Sequence, residues 1–173
     1  MTQQLTLEQQ ATNFETYQHI ELVMRLLAGM QLEISKRMFT HDRSKLRSPE
    51  VEIFAQVTSK LKNLTYGSLE YNQQLQEMKP ALDSHYSHNR HHPEYFERGV
   101  EGMNLIDLLE LICDWVAATS RHADGDIYRS IEINALRFEL SPQLVVILVN
   151  TLPLVRDIFE QYQSQRDLES DRA

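Results

Sequence analysis

The segment from Asn104 to about His122 constrains the fold most. Leu105, Ile106, Leu108, Leu109, Leu111, Ile112, Trp115 and Val116 make it apolar on nearly every side of a helix, and such a helix belongs in the middle of a fold. Yet Asp107, Glu110 and Asp114 lie on it at i, i+3 and i+7, so they share one face. Three acids on one stripe of a central helix are costly unless something positive faces them. For Asp107, nearest the helix start, a solvated face competes with that reading on equal terms. For Asp114, set among Leu111, Ile112 and Trp115, a ligand role is favoured.

Helical periodicity extends through the rest of the chain. Only five glycines and five prolines occur in 173 residues, few for a chain of many short strands. Thr6, with Gln9 three residues on, predicts an N-cap, and Phe14, Tyr17, Ile20, Leu22, Val23, Leu26 and Leu27 predict a helix to about Ala28. Gly29 is expected to break it, with a second short helix over about Gln31–Thr40. Ser48-Pro49-Glu50 predicts a helix start, with Ser48 as N-cap and Pro49 at the first helical position. Asn63–Ser68 reads as a turn and about Leu69–Ser87 as a helix that Pro80 kinks. A loop to about Gly102, a turn at Ala123–Asp126 and helices over about Ile127–Glu139 and Gln143–Gln163 follow. The expectation is an all-α chain of six to seven helices in one compact domain over residues 1–173, with a frayed tail at about 164–173.

Bulk properties bound the partners. A formal net charge of −8 argues against extended nucleic acid and anionic membranes, which select basic surfaces. One cysteine, Cys113, rules out an intrachain disulfide and fits a reducing compartment. The N-terminal residues lack the basic start and apolar run of a signal peptide, and no apolar stretch approaches the roughly 20 residues needed to span a bilayer. The expectation is a cytoplasmic protein. The C-terminal helices carry no chemical signal and are expected to complete the core or to form a homodimer surface.

The chemistry concentrates in the histidines. Four of the seven, His85, His88, His91 and His92, fall within eight residues, and His41 adjoins Asp42. Histidine and aspartate are preferred donors for divalent transition metals, and a bound ion holds clustered imidazoles neutral. His85 lies on the apolar face of its helix, where a lone histidine is more often a satisfied core residue; its neighbours shift the reading to a ligand. His91 and His92 precede Pro93 in a segment expected to be extended, so their rings should point to opposite sides, with one ligating and the other serving as an acid or substrate contact. His19 is 22 residues before His41, about 33 Å along a continuous helix, so the two share an ion only if the chain folds back at Gly29. Lys45 suits either a surface ion pair or a phosphate oxygen. His122, at a helix end, suits the helix dipole better than the site.

The order His19, His41-Asp42, His85, His91-His92, Asp114 resembles the HD superfamily of metal-dependent phosphohydrolases, whose His-Asp-x-x-Lys signature is matched by His41, Asp42 and Lys45. More closely, the chain resembles a family of small uncharacterised phage and bacterial proteins. That family's His-Asp-x-Ser-Lys motif is matched by His41, Asp42, Ser44 and Lys45. Its His-x-x-x-Asn-x-His-His-x-Glu-Tyr stretch is matched by His85, Asn89, His91, His92, Glu94 and Tyr95, and its Leu-Glu-x-Ile-Cys-Asp segment by Leu109, Glu110, Ile112, Cys113 and Asp114. The resemblance covers about Gln18 to Ala118.

It implies an HD-like helical domain that hydrolyses a phosphoester on a small phosphorylated molecule such as a nucleotide. His19, His41, Asp42 and Asp114 would hold a first divalent ion, and His85 and His91 a second, the metal being Fe, Mn, Ni, Co, Zn or Mg. Lys45 would meet phosphate, His88 or His92 would protonate the leaving oxygen, and Glu110, Asn89 and Glu94 would support the ligands. The gap from Asp42 to His85 is longer than in many two-metal members. Two other classes compete: a diiron oxygenase with the same ligands, and a non-catalytic, metal-stabilised helical binding protein.

Overall fold

A computed structural model describes residues 5–61, 69–120 and 125–170. Every regular element in it is helical, and no strand occurs among the described residues. Six α-helices follow one another: α1 (Leu7–Thr40), α2 (Glu50–Leu61), α3 (Leu69–His88), α4 (Leu105–Thr119), α5 (Ile127–Arg137) and α6 (Pro142–Ser170). The chain divides into two units, Met1–His41 and Asp42–Ala173. The Asn63–Ser68 turn and His122 lie outside the described residues, as does the first half of the Ala123–Asp126 turn.

The first unit is α1 alone. Thr6 caps it: its hydroxyl accepts from the Gln9 N–H and the Gln9 side chain accepts from the Thr6 N–H, satisfying two of the donors that a helix start leaves open. The expected break at Gly29 does not occur, and two anticipated helices are one of 34 residues. A single glycine costs a helix only about 1 kcal/mol, and no proline or cap residue follows to enforce a stop. His19 and His41 therefore stand about 33 Å apart, and the fold-back needed for them to share an ion is absent.

In the second unit, α2 packs on α3 and α4 packs with α5 and α6. The α2 helix begins at Glu50, so Pro49 precedes its first turn instead of occupying it. The α3 helix runs through Pro80 to His88. Ile112 and Val116 of α4, Ile131 of α5, and Leu148 and Leu152 of α6 form the main apolar cluster; burying each contributes about 1.5–3 kcal/mol. Trp115 stacks on Phe138 beside it, the rings 13° from parallel. The expected central position of α4 matches the burial of Leu111 and Ile112, each 1% exposed.

The C-terminal helix departs from expectation twice. It continues to Ser170 instead of fraying from about 164. Its Pro142–Gln165 stretch is also long and apolar enough, by length and composition, to cross a membrane, contrary to the reading that no segment approaches that length. Leu148 and Leu152 of that stretch are buried against α4 and α5, while Val146, Ile147, Leu154 and Ile158 are exposed.

Candidate metal centre

Asp42, His85, His91 and His92 each bring a donor atom to one place, all within 4.8 Å of one another. They arrive from three directions. Asp42 opens the second unit with a left-handed backbone (φ 55°, ψ 11°), a conformation that aspartate tolerates better than most residues. A short 3-10 turn over Arg43–Leu46 follows. His85 sits on the inner face of the last turns of α3, 2% exposed. His91 and His92 lie in the irregular segment after α3, where Pro93 begins another 3-10 turn; His91 is 2% exposed.

The donor atoms converge on one carboxylate oxygen. Asp42 Oδ1 is 3.3 Å from His85 Nε2 and 3.5 Å from His91 Nε2. His92 Nε2 lies 2.9 Å from His85 Nε2. Ligands about 2.1 Å from a common ion stand roughly 3.0 Å apart in octahedral and 3.4 Å apart in tetrahedral arrangements, so these separations fit a shared cation. The expectation that the rings of His91 and His92 point to opposite sides does not hold, since both offer a donor atom to the same group. Their ring centroids are 4.1 Å apart, tilted by 44°: His92 is extended before Pro93 as expected, but a turn closed by the His92 N–H on the Asn89 carbonyl precedes it.

Carboxylates also stand behind the two buried rings. Glu50 Oε2 is 3.0 Å from His85 Nδ1, and Glu110 Oε1 is 3.2 Å from His91 Nδ1. Asp114, one helical turn beyond Glu110, brings a carboxylate oxygen within 4.8 Å of one on Asp42. Burial, reinforced by the neighbouring His91 and His85, pushes His92 down to about 3, with Asp114 and Asp42 opposing the shift. His92 is therefore neutral at physiological pH and available as a donor.

The remaining sequence candidates stand at different removes from these four. Lys45 Nζ pairs with Asp42 Oδ2 at 2.6 Å, so it borders the cluster. Asn89 is buried and donates to Ser44 Oγ and to the His85 carbonyl. His88 is exposed at the end of α3, its Nδ1 on the Ser84 carbonyl at 2.7 Å, outside the donor group. Glu94 turns toward α5 and pairs with Arg137 at 2.7 Å. His41 ends the first unit, its backbone N–H on the Arg37 carbonyl, one peptide bond before Asp42. His19 is exposed on α1.

Two residues that the sequence reading left out matter here. Glu50 reads in sequence as an ordinary first-turn acid, yet it is 1% exposed against His85. Arg90 forms a bidentate pair with the fully buried Asp107, which settles that acid as internally neutralised instead of solvated. No one-dimensional spacing signals either, because the histidine that Glu50 meets and the aspartate that Arg90 meets lie 35 and 17 residues away.

No curated protein and no solved structure gives a significant match to the chain. A family profile does match, over residues 8–154, a span that takes in the His-Asp pair, the histidine cluster and Asp114. The chain belongs to a family of unknown function (DUF5662).

Proposed function

We propose that the protein is a metal-dependent phosphohydrolase in which Asp42, His85 and His91 hold a divalent transition metal, with His92 and Asp114 at its edge. One observation carries the metal: two buried imidazole Nε2 atoms and a carboxylate oxygen face one another at 3.3 and 3.5 Å. A proton on either ring would relieve one of these contacts, whereas a divalent ion among the three would serve all of them at once. His41 remains a candidate ligand through its adjacency to Asp42 in the sequence motif.

The hydrolytic reading draws on the similarity of His41-Asp42-x-x-Lys45 and the later Asp114 to HD phosphohydrolases, and on what borders the cluster. A divalent ion would supply a water of lowered pKa and a clamp for phosphoryl oxygens. Lys45, with its side chain 36% exposed, presents an ammonium next to Asp42, suited to a phosphate oxygen arriving from solvent. His92, neutral at pH 7, would offer a lone pair to the metal without adding charge; at its depressed pKa it holds no proton in reserve for a leaving group. That leaves the general acid to the exposed His88 or to solvent.

The test is elemental analysis of protein purified without added metal or chelator, beside Asp42→Ala and His91→Ala. Roughly one or two transition-metal ions per chain are expected, lost in both variants, with hydrolysis of nucleotide phosphoesters lost in parallel. Absence of metal, both as purified and after soaking with manganese, iron or zinc, would sink the metal reading. Full metal content without hydrolysis of any phosphoester would leave the metal and remove the activity.

A further inference from the structure

Glu50 lies outside the motifs that the histidines form, yet both its carboxylate oxygens are engaged. Ser84 Oγ donates to Oε1 at 3.0 Å and Ser44 Oγ donates to Oε2 at 2.9 Å. His85 Nδ1 sits 3.0 Å from the same Oε2. An ionised carboxylate only accepts, so the hydrogen between Glu50 and the ring belongs to Nδ1. The Asn89 amide also lies 3.0 Å from Nδ1. Its two hydrogens have better-placed acceptors, however, in Ser44 Oγ at 2.8 Å and the His85 carbonyl at 2.7 Å. A carboxylate also faces the other nitrogen, Asp42 Oδ1 at 3.3 Å from Nε2; the Glu50 contact is the shorter at 3.0 Å, so in the neutral ring the proton sits on Nδ1 and the Nε2 lone pair faces Asp42.

We propose that Glu50 is a positioning residue of the metal centre: it locks His85 in the Nδ1–H tautomer, aims Nε2 at the cation and thereby sets the affinity for it. The claim on affinity rests on the metal reading above, whereas the tautomer stands on the hydrogen bonds alone. An acid in the first turn of a helix is ordinarily satisfied by the open N–H groups and by water. Glu50 instead gives up water for two hydroxyls and an imidazole. Burying a carboxylate costs several kcal/mol unless its charge is answered, and neither hydroxyl carries charge. The charge that answers it must come from the ring itself or from a cation beyond it, and a cation held at Nε2 leaves the ring its single proton on Nδ1. A carboxylate behind an imidazole also raises the basicity of the opposite nitrogen. Ser44 and Ser84 hold the carboxylate in place, and Asn89 fixes Ser44, so the arrangement is braced from both α3 and the turn after Asp42.

The experiment combines two readouts on wild type, Glu50→Gln and Ser84→Ala. Nitrogen-15 NMR of the metal-free protein reports the His85 tautomer, and titration with zinc reports affinity. Wild type is expected to show the Nδ1–H form and to bind zinc. Glu50→Gln, isosteric but uncharged, is expected to bind zinc about 10–100-fold more weakly with folding intact by circular dichroism. Ser84→Ala, which removes one donor to Glu50, is expected to weaken binding several-fold, and it serves as the test should Glu50→Gln fail to fold. His85 in the Nε2–H form in wild type would overturn the proposal. So would zinc binding by both variants equal to wild type, which leaves the metal reading untouched. If wild type binds no zinc, the metal reading falls and the proposal falls with it.

Discussion

Glu50 and Asp107 are both first-turn carboxylates, on α2 and α4, and both are almost wholly withdrawn from water, at 1% and 0% exposure. Their surroundings differ in charge. Asp107 meets a guanidinium in a two-pronged pair: Arg90 Nε to Oδ1 at 3.1 Å and Nη2 to Oδ2 at 2.9 Å. It also accepts the Asn104 backbone N–H at 3.0 Å. Arg90 itself leans on the rings of Phe96 and Tyr95, 4.8 and 5.3 Å from their centroids. That pair closes on itself. Glu50 faces two hydroxyls and an imidazole, groups with no obligatory charge. A buried acid answered by arginine ties a loop to a helix. A buried acid answered only through a histidine passes its charge onward, here to the place where Asp42 and His91 converge.

The strongest way to break this contrast is to remove Arg90. Arg90→Ala leaves the Asp107 charge buried without its guanidinium, and breaking a buried pair from one side costs about 3–5 kcal/mol. The side chain of Arg90 is 37% exposed, which places the expectation near the lower end, about 3 kcal/mol in urea unfolding. Asp107→Ala should cost less, because the freed guanidinium can turn to water. Zinc affinity of the folded fraction should stay at the wild-type value in Asp107→Ala. A fall in zinc affinity as large as that in Glu50→Gln would show that Asp107 serves the metal centre after all.

Acid separates the two carboxylates more gently. Arg90 keeps its proton at every relevant pH, held by the hydrogen bond and charge of Asp107. On the histidine side, burial and the neighbouring rings hold His92 at about 3, against about 6.5 in the unfolded chain. Above 6.5 both states are neutral and stability is unaffected. Between 6.5 and 3 the unfolded chain takes up a proton that the folded ring refuses, so stability falls as pH falls. The slope is about 1.4 kcal/mol per pH unit, or about 2 kcal/mol between pH 6.5 and 5. Unfolding of metal-free protein at pH 7 and pH 5, beside His92→Gln, measures it. Equal pH dependence in the two proteins would assign the acid sensitivity to another group.

The same contrast marks what the sequence made legible. Helix content followed from periodicity and from local cap signatures such as Thr6 with Gln9. The histidine cluster was legible because its members are close in sequence, and Asp114 because an acid among Leu111, Ile112 and Trp115 requires a reason. Gly29 misled, since glycine weakens a helix without enforcing a stop. Glu50 and Arg90 were invisible for one reason: their roles are set by partners 35 and 17 residues away, and nothing in a first-turn glutamate or a loop arginine encodes that pairing. The supporting residues read from the motif also divided, Asn89 and Glu110 beside the rings and Glu94 turned to Arg137.

Asn104 offers the smallest and cleanest separation, because it isolates the helix start at Asp107 from the ion pair. Its side-chain oxygen accepts the N–H groups of Ile106 at 2.9 Å and Asp107 at 3.0 Å, while its own backbone N–H, which any substitution except proline retains, donates to Asp107 Oδ2. Asn104→Ala therefore removes the cap without touching the guanidinium, and should cost about 1 kcal/mol in urea unfolding. Asn104→Gly should recover most of it, since glycine at this position costs only a few tenths relative to asparagine. Were Asn104→Ala to cost as much as Arg90→Ala, the burial of Asp107 would depend on the capped turn more than on its counter-charge. Asp107 would then resemble Glu50 in lacking a charge that answers it, and the distinction between a closed pair and an acid that passes its charge onward would fail at its better-defined end.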